Sequence, residues 1–559
     1  MTNYQFTGGT ICAPATIPGT GAISIIRVSG KESLAIADKV IDTKGVPIAE
    51  TEGYRLRYGT VFEADGSVLD NVIVSVFRAP HSYTGENSVE ISCHASRFIV
   101  NKILELLVNA GARIAAPGEF TRRAFVNGKM DLAQAEAVAD VIASQSAASH
   151  RVAMNQLKGG FSSELKVLRE KLLTMTSLLE LELDFSEEDV EFASRKELGQ
   201  LVDDSLTHIR RLTASFSRGN AIKNGVPVAI VGATNTGKST LLNALLGEER
   251  AIVSDIAGTT RDTIEETLNI DGILFRFIDT AGIRETDETI EKIGIDRTFK
   301  KLGEAAGVLG LTDLSRGEAA VLEDADFILS KVNEMGGLKN VGEIDGSETG
   351  GASLAETGGA SLAETGGTSL VETSGTPLSE TGGASQHGLG AEQERKVVIL
   401  VNKCDVAGDF YKDDNGTGDG SGNDLGKNMA EIGGNKNVNH DNNIVSLIEN
   451  KYDNCKVIPI SAKTGKGLST LTKTLGEIGS EITGSTDETL VTNVRHYEAL
   501  VRAASALERV RAGLHIATLP PDLIAQDLRE ALYHLGEIVG EITTDETLGN
   551  IFRNFCVGK

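Results

Sequence analysis

One short stretch restricts the fold of this chain more than any other. In "VPVAIVGATNTGKSTLLNALLG" an apolar run ends at Gly232. Gly237, Lys238 and Ser239 follow at the spacing of a phosphate-binding loop, and a helical pattern comes next. Glycines let backbone N–H groups wrap phosphates, and the helix N-terminus adds its partial positive charge. In such a loop the lysine reaches the β and γ phosphate oxygens and the Ser239 hydroxyl binds Mg²⁺. The stretch therefore predicts a domain built on a parallel sheet.

Three later stretches, in the order typical of GTP-binding domains, indicate that the base is guanine. "LFRFIDTAG" ends a strand with Asp279 near the metal and Gly282 at the γ-phosphate, and "KVVILVNKCD" and "CKVIPISAKTG" end two more strands. The Asp405 carboxylate can accept hydrogen bonds from guanine N1–H and N2–H₂, which adenine does not offer. Alone, "NKCD" is also compatible with a polar loop at a strand end. After a phosphate-binding loop it predicts a GTP site.

The first switch segment is expected in "AIVSDIAGTTRDTIEE" (251–266), where Thr260 is the candidate hydroxyl ligand of Mg²⁺. The predicted GTP-binding residues are Asn235, Thr236, Gly237, Lys238, Ser239, Thr240, Ser254, Asp255, Ile256, Ala257, Gly258, Thr259, Thr260, Asp279, Thr280, Ala281, Gly282, Asn402, Lys403, Asp405, Ser461, Ala462 and Lys463.

The position after "DTAG" raises a question about hydrolysis. Many GTPases place a glutamine there to orient the attacking water. This chain has Ile283, whose side chain has no hydrogen-bonding group. Either hydrolysis is slow, or other groups hold the water and neutralise the developing charge.

Composition limits the partners and the compartment. The formal charge of −25 disfavours tight non-specific binding to nucleic acid, so RNA contact requires a local basic patch or a basic partner. The five cysteines are scattered without metal-ligand spacing, which indicates reduced thiols. The sequence shows neither a basic, then apolar, leader nor an apolar run long enough for a bilayer, so we expect a cytoplasmic protein without membrane contact.

The pattern along the chain predicts four segments. Residues 1–128 read as mixed α/β, 129–223 as helical, 224–480 as alternating strands and helices, and 481–559 as helical again. Two helical stretches flanking an α/β domain predict one helical domain with the α/β unit inserted into it.

Two low-complexity tracts interrupt the nucleotide-binding domain, near 338–394 and 408–443. The first contains a repeat with a period of eight residues, exemplified by "GGASLAET". Each unit offers one leucine to a core, which cannot offset the ordering entropy, so we expect disordered loops. A short solenoid is the alternative.

The chain resembles the MnmE (TrmE) family of GTPases that modify the wobble uridine of certain tRNAs. The resemblance covers nearly the whole chain outside the two tracts. It is carried by "GATNTGKSTLLNALLG", "AIVSDIAGTTRD", "DTAGIRETDETIEKIGIDR", "YTGENSVEI", "APGEFTRRAFVNGKMDLAQAEAVADVI" and "IFRNFCVGK". It implies an α/β fold class with an N-terminal folate-binding α/β domain, an all-α helical domain and an inserted Ras-like P-loop GTPase domain.

The resemblance also implies cofactors and partners. A tetrahydrofolate derivative, the one-carbon donor, would bind at the matching positions Arg27, Glu90, Lys129 and Lys559. Taken singly, each of these residues reads as a solvated charge, and only the motif context favours a binding role. The N-terminal domain would mediate homodimerisation. With a flavin-dependent partner, MnmG (GidA), the protein would add a carboxymethylaminomethyl group at uridine C5.

For hydrolysis, the resemblance implies a K⁺ ion in place of an arginine finger, held by Asn235, Ser254, Ile256 and Thr259. Glu291 matches the family's catalytic glutamate, although alone it reads as a solvated helix charge, and Asn235 as a turn residue. Cys556 in the terminal "CVGK" would act in tRNA modification; a frayed tail with a free thiol is the alternative, and the tail does not fit a prenylation signal.

Two further expectations remain. Gly310 in "AAGVLGLTDLS" should weaken the strand that contains it. The rival function is a GTP-dependent ribosome-assembly switch that binds RNA without modifying it. That class should carry a basic module after the GTPase domain, whereas the C-terminal helices here have mixed charge.

Overall fold

The chain forms two compact units. The first comprises Met1–Gly225, Asn269–Leu274 and Gly479–Lys559, and the second comprises Val226–Leu268 and Phe275–Ile478. The second unit thus lies within the sequence of the first. The computed structural model describes residues 8–184, 194–249, 266–278, 305–334, 396–405, 443–452, 455–484, 488–515 and 520–553, with Phe555 and Gly558. The repeat and nearly all of the second polar tract lie outside these residues, so their disorder stays a prediction.

The N-terminal part of the first unit is a sheet flanked by helices. Its strands are β1 (Ile11–Pro14), β2 (Ile23–Ser29), β3 (Ile41–Asp42), β4 (Arg55–Phe62), β5 (Val68–Phe77), β6 (Ser88–His94) and β7 (Arg113–Ile114). Its helices are α1 (Ser33–Val40), α2 (Arg97–Asn109) and α3 (Glu119–Val126). The strand order is β3-β4-β5-β6-β2-β1-β7, antiparallel except between β1 and β7. Alternate residues such as Ile26, Val74 and Ile91 form the core on one face, as a half-buried antiparallel sheet requires.

A helical segment follows, with α4 (Leu132–Ala143), α5 (Ala147–Leu157), α6 (Gly160–Asp184), α7 (Arg195–Ala214) and α8 (Phe216–Asn224). The apolar spacing from Asp131 onward predicts helix, and the structure divides this stretch into α4 and α5. The division lies at Ser146, whose hydroxyl accepts a hydrogen bond from Ser149 N at 3.1 Å and so caps α5. Asp131 caps α4 in the same way through Gln134 N at 2.8 Å. Local capping thus sets the helix boundaries that periodicity leaves open.

The second unit is a predominantly parallel sheet with helices. The strands of this sheet are β8 (Val226–Gly232), β9 (Glu266–Ile270), β10 (Ile273–Ile278), β11 (Gly307–Asp313), β12 (Lys396–Asn402) and β13 (Cys455–Pro459). The end of β9 and the start of β10 lie in Asn269–Leu274, which is grouped with the first unit. The described helices that accompany the sheet are α9 (Lys238–Glu249), α10 (Glu318–Glu334), α11 (Asn443–Lys451) and α12 (Leu468–Thr483). The strand order is β13-β12-β11-β8-β10-β9, and the pairs β10–β8, β8–β11, β11–β12 and β12–β13 are parallel. The carboxyl ends of these strands therefore meet at one edge, where ligands bind in such sheets.

The expectation that Gly310 weakens its strand is wrong. β11 pairs without interruption with both β8 and β12, and all seven of its residues are buried. A Cβ on Gly310 would lie 2.7 Å from Ile399 Cδ1 and 3.1 Å from Ile328 Cγ2. The glycine is therefore the residue that lets a neighbouring strand and α10 pack closely over β11.

The C-terminal helices α13 (Val494–Leu514), α14 (Pro521–Val539) and α15 (Asp545–Arg553) return to the first unit. Leucines and alanines of α13 and α14 share one buried core with α6 and α7. Arg495 at the start of α13 donates to both carboxylate oxygens of Glu136 on α4 and to the carbonyl oxygens of Glu537 and Ile538. The two helical stretches, separated in sequence, thus form one helical body. The predicted fold class, α/β with an all-α domain, is confirmed.

Candidate functional site

The phosphate-binding loop lies between β8 and α9, at the carboxyl edge of the second unit's sheet. A Cβ on Gly232 would collide with the backbone oxygen of Leu311, and one on Gly237 would lie 2.5 Å from Asn402 Nδ2. Gly237 has a φ of +97° and Asn235 a φ of +62°. These conformations favour glycine and asparagine, which explains the residue types of the loop.

The polar side chains of the loop divide between inward and outward positions. Lys238 Nζ donates to the carbonyl oxygens of Gly232 at 2.8 Å and Ala233 at 2.7 Å, and burial lowers the pKa of this ammonium. Thr236 is buried and donates through Oγ1 to Ala233 O at 2.9 Å. Ser239 and Thr240, in the first turn of α9, are exposed. The loop therefore presents two exposed hydroxyls at a helix N-terminus, and the Lys238 ammonium is held by backbone carbonyl oxygens of the loop itself.

Asn402 joins three of the predicted stretches through its side-chain amide. Nδ2 donates to Thr236 O of the phosphate loop at 2.7 Å, and Oδ1 accepts from Ala462 N of the "SAK" turn at 3.0 Å. The residue is 1% exposed. A side-chain amide has a donor and an acceptor on separate atoms, so it can bridge two backbone groups in this way. Asn402 therefore fixes the phosphate end of the site relative to the base end.

The base end is ordered around Asp405. Ser461 Oγ donates to Asp405 Oδ1 at 2.7 Å, and the same hydroxyl oxygen accepts from Thr464 N at 3.2 Å. The hydrogen bond from Ser461 lowers the pKa of the Asp405 carboxyl, so the group is an exposed, ionised acceptor at neutral pH. Ser461 is fully buried and Ala462 is 5% exposed, whereas Lys463 is exposed. The base end therefore presents an exposed carboxylate whose orientation is set by the buried Ser461 hydroxyl.

Lys403 lies between Asn402 and Asp405 in the chain and is held by Asp313, a residue outside the stretches that predict the site. Its φ is +65°, and its Nζ donates to Asp313 Oδ2 at 2.7 Å. Asp313 is the last residue of β11 and pairs in register with Asn402. The signal in the sequence was an aspartate at the carboxyl end of an apolar strand, in "GLTDLS".

In the first unit, Arg27 and Glu90 are brought together as cross-strand partners on β2 and β6. Arg27 Nη2 and Nε donate to Glu90 Oε1 at 2.8 and 3.0 Å, and Nη1 donates to Gly558 O at 3.5 Å. The Arg27 guanidinium lies 5.1 Å from the Tyr83 ring centroid and 5.7 Å from that of Phe120. The guanidinium is therefore fixed by a carboxylate, two aromatic rings and the C-terminal tail.

Two glycines, Gly558 in the tail and Gly118 in the N-terminal domain, allow the close approach of that tail. A Cβ on Gly558 would overlap Pro14 O, and one on Gly118 would lie 2.6 Å from Phe552 O and 3.0 Å from Phe555 Cβ. The tail thus packs directly on the backbone of the N-terminal domain. Lys129, the remaining described candidate for folate, is exposed and donates from Nζ to Pro80 O at 3.0 Å.

Several predicted site residues lie outside the described residues and stay predictions. They are Ser254, Asp255, Ile256, Ala257, Gly258, Thr259, Thr260, Asp279, Thr280, Ala281, Gly282, Glu291, Cys556 and Lys559. In the part of the chain that the structure describes, His, Cys, Asp and Glu form no cluster of three or more suited to a metal. Among those same residues, no helix is long and apolar enough to cross a membrane.

Comparison with known proteins covers nearly the whole chain. A family model described as MnmE helical domain matches residues 132–556, and one described as GTP-binding protein TrmE N-terminus matches residues 10–129. A Parabacteroides distasonis protein named tRNA modification GTPase MnmE is 44% identical over 553 residues, covering 98% of this chain and 100% of that protein. Proteins of the same name from Bacteroides thetaiotaomicron and Porphyromonas gingivalis are 43% and 42% identical, covering 98% and 100% of this chain and 99% of each relative. The chain therefore belongs to the MnmE (TrmE) family of tRNA modification GTPases.

Proposed function

We propose that this protein hydrolyses GTP and, with the flavin-dependent partner MnmG, adds a carboxymethylaminomethyl group at C5 of the wobble uridine of certain tRNAs. One observation carries the GTP part. The Asn402 amide joins the phosphate loop to the "SAK" turn, and Ser461 orients the Asp405 carboxylate beside it. That geometry suits guanine, because Asp405 can accept from both N1–H and N2–H₂.

The loop residues fit the predicted cations. Ser239 is exposed in the first turn of α9, where its hydroxyl and that of Thr260 would hold Mg²⁺. Asn235 is exposed at the crest of the loop, where its side-chain oxygen would hold K⁺ with oxygens of Ser254, Ile256 and Thr259. Bound beside the phosphates, these ions would neutralise charge that develops during hydrolysis. Glu291 would orient the attacking water.

The site around Arg27 fits a folate. The side chain of Arg27 is 15% exposed and that of Glu90 25%, so both reach the surface of a largely buried site. A guanidinium suits the glutamate carboxylates of a folate, and a carboxylate suits the donor edge of a pterin. Lys129 and Lys559 would add cationic contacts. The bound folate would supply the one-carbon unit.

The partners follow from the same proposal. The protein would work in the cytoplasm as a homodimer through its N-terminal domain and would form a hetero-oligomer with MnmG. The formal charge of −25 disfavours contact with the tRNA backbone outside a local basic patch. We therefore propose that the partner supplies much of the basic tRNA-binding surface.

Mass analysis of wobble nucleosides tests the proposal in cells that lack this protein and carry wild-type or variant genes. Wild type should restore the modified uridine. Cys556→Ser should abolish the modification while purified protein keeps its GTP turnover, because the tail is expected to act away from the nucleotide site. Unmodified tRNA in the wild-type strain would favour the ribosome-assembly alternative.

A buried cysteine provides the matched control. Burial raises the pKa of the Cys93 thiol to about 11, so this thiol is protonated and unreactive at neutral pH. Cys93→Ala should therefore retain modification, which would show that loss of a thiol elsewhere in the chain is tolerated. Normal modification in Cys556→Ser would exclude a chemical role for the thiol of the tail.

A further inference from the structure

A buried carboxylate stands at the nucleotide edge of the sheet outside the phosphate and base motifs. Asp313 ends β11, is 5% exposed and pairs in register with Asn402 at the end of β12. Charged side chains are seldom buried this deeply unless they are paired. The partners of Asp313 therefore determine what it does at this edge.

Those partners are Lys403 of the "NKCD" stretch and Ser315, which lies in the turn directly after β11. Asp313 Oδ2 accepts from Lys403 Nζ at 2.7 Å, while Oδ1 accepts from Ser315 N at 3.0 Å and Ser315 Oγ at 2.6 Å. Burial alone would raise the pKa of Asp313, but the hydrogen bonds from Lys403 and Ser315 outweigh it and lower that pKa. The carboxylate is thus ionised and oriented by one turn and one lysine.

Lys403 needs such an anchor because its backbone is strained. A φ of +65° is unfavourable for a residue with a side chain, by about 1–2 kcal/mol. On one side, Asn402 is locked to the phosphate loop and the "SAK" turn. On the other, Cys404 N donates to Ile460 O at 3.2 Å, and Asp405 follows. The left-handed turn at Lys403 therefore sets the direction in which Asp405 leaves the strand.

We propose that Asp313 is a positioning residue for guanine recognition, which acts through Lys403 to aim the Asp405 carboxylate at the base. The inference rests on the proposed GTP-binding function. It adds a base-specificity role to a residue of a strand outside the "NKCD" and "SAK" stretches.

Nucleotide affinity in Asp313→Asn tests this role, with GDP compared against IDP, whose base lacks the 2-amino group. The amide keeps the shape of the side chain but weakens the bond to the ammonium. If the Asp405 carboxylate is no longer oriented toward the base, GDP loses the hydrogen bonds from N1–H and N2–H₂, whereas IDP loses only the one from N1–H. GDP affinity should fall about tenfold and IDP affinity clearly less, so the preference for GDP over IDP shrinks. The kcat at saturating GTP should stay within about twofold of wild type, because the phosphate end is untouched.

Two further variants separate positioning from a general structural role. Lys403→Gly removes the ammonium and the strain together, so adding Asp313→Asn in that background should change the GDP preference no further. Asp324→Asn removes the carboxylate that pairs with Arg316 in the same unit and should leave both affinities unchanged. An Asp313→Asn protein with wild-type GDP-over-IDP preference, or with equal losses for both nucleotides, would overturn the inference. Wild-type protein that binds no guanine nucleotide would overturn the proposed function instead.

Discussion

At the residue scale, the side-chain amide of Asn402 connects two parts of the candidate site, because it donates to Thr236 O of the phosphate loop and accepts from Ala462 N of the "SAK" turn. The order of stretches places Asn402, Asp405 and Ser461 at strand ends of one sheet edge, and the structure brings them together there. The sequence does not show that both ends of the Asn402 amide are used within the protein, because the acceptor on Thr236 is far away in the chain. Asp313 was missed for the same reason, since its partner Lys403 lies beyond the repeat.

The Ile283 side chain has no group that could orient the attacking water. Under the proposed function, a K⁺ ion at Asn235 would neutralise the charge that develops during hydrolysis. Turnover should rise at least about tenfold in K⁺ over Na⁺, given that an arginine finger contributes about 10³–10⁵. Asn235→Ala should erase this response. Asn220→Ala, an asparagine on α8 of the first unit, serves as the control and should keep it. Equal steady-state GTPase rates in the two salts would exclude the cation mechanism.

The water-orienting role of Glu291 is tested separately. Glu291→Ala should lose hydrolysis by at least about a hundredfold, the usual contribution of a positioned acid–base group, while GTP affinity stays near wild type. Single-turnover kinetics and equilibrium binding measure the two quantities independently. A variant that hydrolyses GTP at the normal rate would remove Glu291 from the mechanism.

At the scale of elements, the type of element follows the pattern along the chain. Residues 1–128 contain strands and helices, and the described part of 129–223 contains helices. The failures are local. The break between α4 and α5 depends on Ser146 and Ser149 bonding each other's backbone, and the continuity of β11 depends on which side chains cover Gly310. Neither contact is encoded in hydrophobic spacing, because capping and close packing are decided by neighbours.

The packing over β11 gives a matched pair of glycine substitutions. Gly310→Ala would force Ile399 and Ile328 aside and should lower the stability of β11 by about 1–3 kcal/mol, the usual cost of overpacking. Gly307→Ala places its Cβ 3.4 Å from Val228 Cγ2, an ordinary contact, and should be neutral or slightly stabilising. Hydrogen exchange of β11 amides in the full chain measures both. Equal protection in the two variants would contradict the packing explanation.

At the scale of the whole molecule, the helical body consists of two parts of the chain, one before and one after the second unit in sequence. The first unit takes in residues on both sides of the second, and Arg495 ties the returning chain to α4 through Glu136. The two helical stretches on either side of the alternating strands and helices predict an inserted unit. The partners of the C-terminal helices were not predictable, because a helical pattern shows which face is apolar and not which helix covers it.

The repeat should be dispensable for folding and for GTP turnover. Deleting residues 346–390 removes one leucine per eight-residue unit and little that a core could use, so GTP turnover should stay within a few-fold of wild type. The long connection between Glu334 and Lys396 tolerates shortening because closure entropy changes slowly with length. Loss of soluble, GTP-binding protein on deletion would mean that the repeat packs.

Ser461 holds the Asp405 carboxylate in place, and a change of the nucleotide base tests whether this carboxylate recognises guanine. In Asp405→Asn the side chain gains an N–H₂ donor, which opposes the guanine 2-amino group but suits the carbonyl oxygen at the same position of xanthine. Binding of GTP and XTP to wild type and to this variant should show preference for GTP in the first and for XTP in the second, each by at least about a hundredfold. A variant that still prefers GTP, or a wild type that binds XTP as well as GTP, would contradict the proposed site.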